Sequence, residues 1–390
     1  MTQKQEITRI LASTGATHRL SRRSFLLGSA VSLIGGGVLL SGCGTKASTV
    51  ATGTQTPGPI EGQFNMYNWA QYDDPNLIKA FTKAKGPIVQ IDTYSSNEEM
   101  VAKLSASGGT SGYDLIVPSG DYIPQLIKNK LLMKFDKSQI PNLANVDSAF
   151  LAQSWDPLND YSVVKDWGTT GYMYDKTVIK GPMTTWQHFI DAMKKEAKGH
   201  TSLLASPPEV AAVYFWANGI NWTTTNKADL DAAEKFLVED VAPNIKAFDS
   251  YPGIKLASGG YALAELWNGD ARQGLLASKT PDRYQWVLPG PKTELWMDNW
   301  SIVAGAKHPV AAHAWINYIL DSKNSFTDMQ YTGYATGVKT IHADSIAAGL
   351  KYLDLMFFTK AQVAKMETGQ INSAEQRLVE MYGKAKAIAG

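Results

Sequence analysis

The chain has 390 residues, 11 Trp and 17 Tyr, and a formal charge of +1. That length exceeds one ordinary domain and points to two lobes with a sizeable core. Nothing in the near-neutral charge suggests a nucleic-acid partner. Of the 37 basic and 36 acidic residues, 32 and 35 lie after residue 43, so the body is net −3 and compatible with a small cationic ligand.

The first 43 residues read as an export signal rather than as structure. Arg22-Arg23 precede an apolar run over 25–40, which is short for a membrane-spanning helix. Ser21-Arg22-Arg23-Ser24-Phe25-Leu26 is similar to the twin-arginine export motif. Leu40-Ser41-Gly42-Cys43 resembles the lipobox of bacterial lipoproteins, in which the cysteine is acylated and becomes the new N-terminus. Cys43 is the single cysteine of the chain. It is therefore the expected lipid anchor, and the mature protein is expected without disulfides, in the periplasm or on the outer face of the cytoplasmic membrane. Residues 44–61, rich in Thr, Gly, Ser and Pro, read as a flexible leash.

From residue 63 onward short apolar runs alternate with helical patterns, as βαβ units with largely parallel pairing do. Residues 63–67 alternate as a strand, and Asp74 with Pro75 opens a helix whose apolar face is Leu77, Ile78, Phe81 and Ala84, closed by Gly86. Residues 88–94 are the next strand, and Ser96-Asn97-Glu98-Glu99 is a capping box before Met100, Val101 and Leu104. A buried strand over 113–118 ends at Ser119-Gly120 and leads into a short helix over 122–128. Residues 161–174 read as an extended crossing between lobes with Gly168 and Gly171 inside it. Strands follow near 202–205, 261–267 and 285–289, with helices over 186–197, from Pro208, over 229–238 and from Asp270. Residues 296–304 return across, 309–320 form a strong amphipathic helix, and 374–387 form the last one. Trp186 and Trp315 lie on apolar helix faces and are expected in the core.

No catalytic motif is present, and the six histidines do not fall at metal-ligand spacing, so neither metal nor cofactor is expected. What recurs is an aromatic ring beside a carboxylate or amide at a strand end: Trp69 with Tyr72, Trp267 with Asp270, Trp296 with Asp298. In open α/β sheets, ligands bind at strand ends. An aromatic face attracts a cation by roughly 0.5–2 kcal/mol, and a carboxylate adds a charge-assisted hydrogen bond. Rings along a slot with carboxylates at intervals suit an apolar chain carrying ammonium groups. The same inventory could stack on a sugar. A zwitterion such as an amino acid would need a cation in the cleft, for which Arg272 is the one candidate. Glu209 and Asp298 could also form the acid/base pair of a glycoside-cleaving enzyme.

Five stretches, Tyr67-Asn68-Trp69-Ala70-Gln71-Tyr72, Tyr94-Ser95-Ser96-Asn97-Glu98, Tyr113-Asp114-Leu115-Ile116-Val117-Pro118-Ser119, Leu266-Trp267-Asn268-Gly269 and Trp296-Met297-Asp298, resemble those of bacterial spermidine/putrescine-binding proteins, the solute receptors of polyamine ABC importers. The resemblance implies a two-lobed periplasmic-binding-protein-like α/β fold (type II), each lobe a mostly parallel sheet flanked by helices, with the ligand in the cleft. It also implies a monomer that is not an enzyme and that hands its polyamine to a membrane permease. Residue by residue, it makes Trp69 and Tyr72 an aromatic wall, Ser119 a polar contact and Glu209 an acidic contact of the second lobe. Trp267 and Trp296 become the rings around the methylene chain, Asp298 the carboxylate that meets an ammonium, and Tyr334 a further aromatic. Two positions after the matching Ser, the spermidine receptor has an aromatic where this chain has Asp121. Three before the Glu, it has an acid where this chain has Ser206. The choice between diamine and triamine stays open, Asp121 is carried as a candidate contact, and no C-terminal Gln contact is assigned. The expected division is 62–168 plus 299–334 for the first lobe and 169–298 plus 335–390 for the second.

Overall fold

The computed structural model describes residues 59–107 and 111–390. The expected export signal, Cys43 and nearly all of the expected leash lie outside these residues.

The sheet is two parallel trios joined by two long antiparallel strands. On one side β1 (Gln63–Trp69) runs parallel to both β2 (Ile88–Tyr94) and β3 (Leu115–Ile116). In β1, Phe64 and Met66 enter one core while Tyr67 enters the core on the opposite face. Parallel sheets covered on both faces bury strands in this way. β4 (Val163–Asp175) follows, a strand of 13 residues. The second trio is β5 (Thr201–Leu203) between β6 (Ile245–Phe248) and β7 (Leu263–Trp267), again parallel. β8 (Tyr284–Val287) and β9 (Thr293–Ile302) complete the main sheet, with two short additions, β10 (Ala335–Thr336) on β4 and β11 (Met366–Glu367) on β9.

The order β2-β1-β3-β9-β4-β7-β5-β6 places the antiparallel pair β9 and β4 at the centre. Residues 163–169 of β4 pair with β9, and residues 170–174 pair with β7. One strand thus stitches both halves together, and the expected crossings over 161–174 and from 296 are found in it and its partner.

Each half has its own apolar core. On the first side Phe64, Phe81, Trp300 and Trp315 pack under the sheet, with Tyr94, Met100 and Leu126 on the other face. On the second, Trp186 stacks on Trp216 at 5.1 Å among Phe189, Leu237 and Met381. Trp186 and Trp315 are fully buried, as their helix faces require. Burying a side chain of this size contributes about 1.5–3 kcal/mol.

Near the C-terminus, packing on the first half continues past Tyr334. Val338, Ile341 and Met356 belong to the first core, and β10 pairs with Asp166 and Trp167 of β4. The chain therefore stays with the first half well past Tyr334, because the Ile341–Ala347 helix finds its apolar partner in the Ser322–Thr332 helix. Leu355 joins a second-half cluster beside Met173 and Leu266, and the Glu375–Ala389 helix packs on the second core, against the Pro207–Ala217 helix.

Candidate functional site

β1 ends at Trp69, and Gln71 takes a φ of 56°, so the chain reverses within a few residues. Asp74 then caps the Pro75–Lys85 helix by accepting from the Asn76 N–H at 2.8 Å. This tight exit aims Trp69 and Tyr72 into one cavity of about 110 Å³. The Trp69 indole is held by donating Nε1–H to the Val117 carbonyl at 3.0 Å.

All nine residues singled out in the sequence line this cavity: Trp69, Tyr72, Ser119, Asp121, Glu209, Trp267, Trp296, Asp298 and Tyr334. The rings form two runs of edge contacts. Trp296 meets Tyr334 at 5.0 Å, Tyr334 meets Tyr72 at 5.9 Å, and Trp69 meets Trp267 at 6.4 Å. Tyr251 closes the row on Trp267 at 6.0 Å.

Two glycines make room for the rings. A Cβ on Gly168 of β4 would lie 2.3 Å from Asn268 Oδ1 and 2.4 Å from the Trp296 ring. A Cβ on Gly269 would lie 2.3 Å from the Tyr334 ring. Asn268 cannot retreat, since it accepts from the Thr169 N–H at 2.9 Å and donates to the Leu355 carbonyl at 2.7 Å. Overpacking of this kind costs about 1–3 kcal/mol. Gly168→Ala is expected to lower the thermal midpoint and swing Trp296 off its seat; an unchanged midpoint with Trp296 in place would contradict this packing.

Against the aromatic wall stand six carboxyl groups, Glu98, Asp121, Glu209, Glu294, Asp298 and Glu375, and among the described residues that line the cavity there is neither Lys nor Arg. Asp298, on β9, is held by two hydroxyls. Asn97 Nδ2 donates to Ser119 Oγ at 3.0 Å, which directs the Ser119 hydroxyl hydrogen to Asp298 Oδ1 at 2.6 Å. The Tyr72 hydroxyl donates to Asp298 Oδ2 at 2.9 Å. Burial pushes the Asp298 carboxyl up to about 6, with the Ser119 and Tyr72 hydroxyls holding it back. Glu209 opens the Pro207–Ala217 helix from the other side; its Oε1 accepts from Trp267 Nε1 at 2.7 Å and from Thr170 Oγ1 at 2.6 Å. Asp121 and Glu375 are each raised to about 7, first by burial and then by a neighbouring acid, Glu375 for Asp121 and Glu98 for Glu375.

Behind the wall lies a second polar group that the sequence reading did not find. Lys165 Nζ is buried between Asp328 at 2.9 Å, Asp166 at 3.0 Å and Asp73 at 3.5 Å. It also sits 4.4 Å from the centre of the Tyr72 ring, so it fixes the ring whose hydroxyl holds Asp298.

Glu294, Tyr251, Glu98 and Glu375 were also missed. Glu294 carried a signal: it shares the strand face of Trp296 and Asp298, two and four residues on. Tyr251 sits in a loop, and the two other acids come from helices far apart in the chain. Gln370 lines the cavity as well, although no motif marks it. Two expected partners lie elsewhere. Asp270 turns away from the cavity to accept from the Gly253 N–H at 2.7 Å. Arg272 is absent from the lining, and its Nε donates to the Lys351 carbonyl at 3.1 Å.

The family of bacterial extracellular solute-binding proteins matches residues 76–349, more than half of the chain. The chain belongs to that family. Its members bind substrates for transport and are not enzymes, which removes the acid/base reading of Glu209 and Asp298. Among its relatives, this solute-binding protein is 32% identical to the spermidine/putrescine-binding periplasmic protein of Escherichia coli (strain K12), over 83% of this chain and 91% of that one. Its fold is similar to the structure described as a putative spermidine/putrescine ABC transporter from Listeria monocytogenes. The TM-score is 0.76 at 28% identity, covering 84% of this chain and 99% of the other. The Tp0655 (TpPotD) lipoprotein of Treponema pallidum is similar too, with a TM-score of 0.71 at 26% identity over 83% and 99%. The two lobes of this solute-binding protein are therefore those of the periplasmic-binding-protein-like fold.

Proposed function

We propose that the protein captures a polyamine, putrescine or spermidine, outside the cytoplasmic membrane and delivers it to the permease of an ABC importer, working as a monomer tethered through acylated Cys43. One observation carries the reading: an aromatic-walled cavity with six carboxyl groups and, among the described residues that line it, no basic side chain. An anionic or zwitterionic solute would bring a carboxylate with nothing to pair it, because Arg272 faces elsewhere. A neutral sugar would leave the acids without a counter-charge. A polyamine supplies both halves, methylenes for the rings and ammonium groups for the carboxyls.

In this reading the methylenes lie between Trp267 and Trp296, with Trp69, Tyr72 and Tyr334 completing the wall. Asp298 and Glu209 take ammonium groups, Ser119 orients Asp298, and Asp121 meets a charge at the end nearest Glu375. The first lobe comprises residues 62–168 and 299–357, and the second comprises 169–298 and 358–390. They close on the amine by a hinge where β4 and β9 pass from one core to the other. Calorimetric titration with spermidine, putrescine, glucose and glutamate tests the proposal. Saturable binding is expected for at least one of the two amines and neither of the others; binding of glutamate or glucose alone would overturn it.

A further inference from the structure

Thr170 Oγ1 lies 2.6 Å from Glu209 Oε1 and 2.8 Å from Glu294 Oε2. A hydroxyl has one hydrogen, so it can donate to one of these carboxyls but not to both. Both contacts are hydrogen bonds only if the second carboxyl carries a proton and donates it to the Thr170 oxygen. We propose that Glu294 and Glu209 form a single two-carboxyl subsite that holds one shared proton when empty and exchanges it for the cationic head of a ligand, an ammonium or a guanidinium.

The surroundings favour this exchange. Glu294 is raised well above the ordinary range, first by burial and then by the Glu209 charge. Facing Glu209 from β7 is Glu265, fully buried, itself raised well above its ordinary value by burial, and accepting from the Leu204 N–H at 3.1 Å. Asp121 acts on Glu294 from across the cavity and Asp298 is the acid beyond Trp296. The cation nearest in sequence, Lys292, is engaged by Glu367 at 2.8 Å. With Glu265, Asp121 and Asp298 nearby and no basic side chain among the described residues that line the cavity, a proton or a ligand's positive group neutralises the pair. Trp267 donates to Glu209 and packs its ring along the wall, so the head would dock where the indole ends. The inference rests on the polyamine reading and deepens it by making Glu294 a determinant of affinity.

Binding that displaces a proton strengthens as pH rises, by up to about tenfold per unit for one proton. The test is calorimetric titration with spermidine and putrescine at pH 7.5 in phosphate and in Tris, whose different heats of ionisation report the protons released. The parent protein is compared with Glu294→Gln, which keeps a hydrogen-bonding head but cannot ionise. The parent should release about one more proton per ligand than the variant. Its affinity advantage over the variant should also grow from pH 5.5 to pH 8. Equal release and parallel pH profiles in the two proteins would overturn the shared-proton subsite while leaving amine binding intact. Failure of the parent to bind either amine at any pH would overturn both readings.

Discussion

Asp298→Asn should weaken amine binding by about 2–5 kcal/mol, or roughly thirtyfold to several-thousandfold. The substitution removes a charge and little else. The asparagine oxygen can still accept the Ser119 hydroxyl, whose direction is set by Asn97, and the Tyr72 oxygen can accept from the new amide. The loss therefore comes from leaving a bound ammonium without its counter-charge in a cavity walled by rings. In the parent, the carboxyl sits near 6 when the cavity is empty, so it is mostly ionised at pH 7 and ready for a cation. Titration of parent and variant with the same amine measures the effect, and unfolding curves check that the fold is kept. An affinity within threefold of the parent would mean that no ammonium docks at Asp298.

Lys165→Met should destabilise the protein by about 3–5 kcal/mol at pH 8, the usual cost of removing one partner of a buried charge cluster. Three aspartates surround one ammonium, which leaves the cluster short of positive charge even in the parent. Burial pushes the carboxyls of Asp73 and Asp166 up, against the pull of Lys165. Folding therefore takes up protons that an unfolded aspartate would have released near its ordinary value of about 3.9. A group raised in the folded state contributes stability that is complete below its unfolded value and is lost as pH rises through its folded one. The stability of the ligand-free parent should thus fall between about pH 4 and pH 8, at about 1.4 kcal/mol per pH unit for each proton held. At pH 5 Asp73 and Asp166 are mostly protonated, so the variant should be closer to the parent there. Urea unfolding at pH 5 and pH 8 separates the cases. A loss below 1 kcal/mol at both values would show that the cluster is not a support of the Tyr72 ring.

The site was readable where its residues lie close in sequence and follow a local period. Trp69 and Tyr72 share one turn, Trp267 ends a strand, and Trp296 with Asp298 obeys the two-residue repeat of β9. The same repeat counted backwards reaches Glu294, and the reading stopped one step short. Glu98, Tyr251 and Glu375 were hidden for a different reason. They reach the cavity from a helix, a loop and the C-terminal helix, whose approach depends on the packing of whole lobes. Lys165 was hidden because a charge inside a strand pattern reads as solvent-facing until Asp73 and Asp328, from distant segments, are seen around it beside its neighbour Asp166. The boundary proposed near residue 357 rests on contacts of the same kind: the pairing of β10 with β4 joins residues more than 160 apart, which no local pattern records.

The most direct measurement is a crystal structure of the protein grown with spermidine. An extended chain of density is expected within the cavity, its methylenes against Trp267 and Trp296, one nitrogen within hydrogen-bonding distance of Asp298 and another beside Glu209 and Glu294. Density for the amine outside this cavity, or inside it with no nitrogen near any of these carboxyls, would contradict this placement.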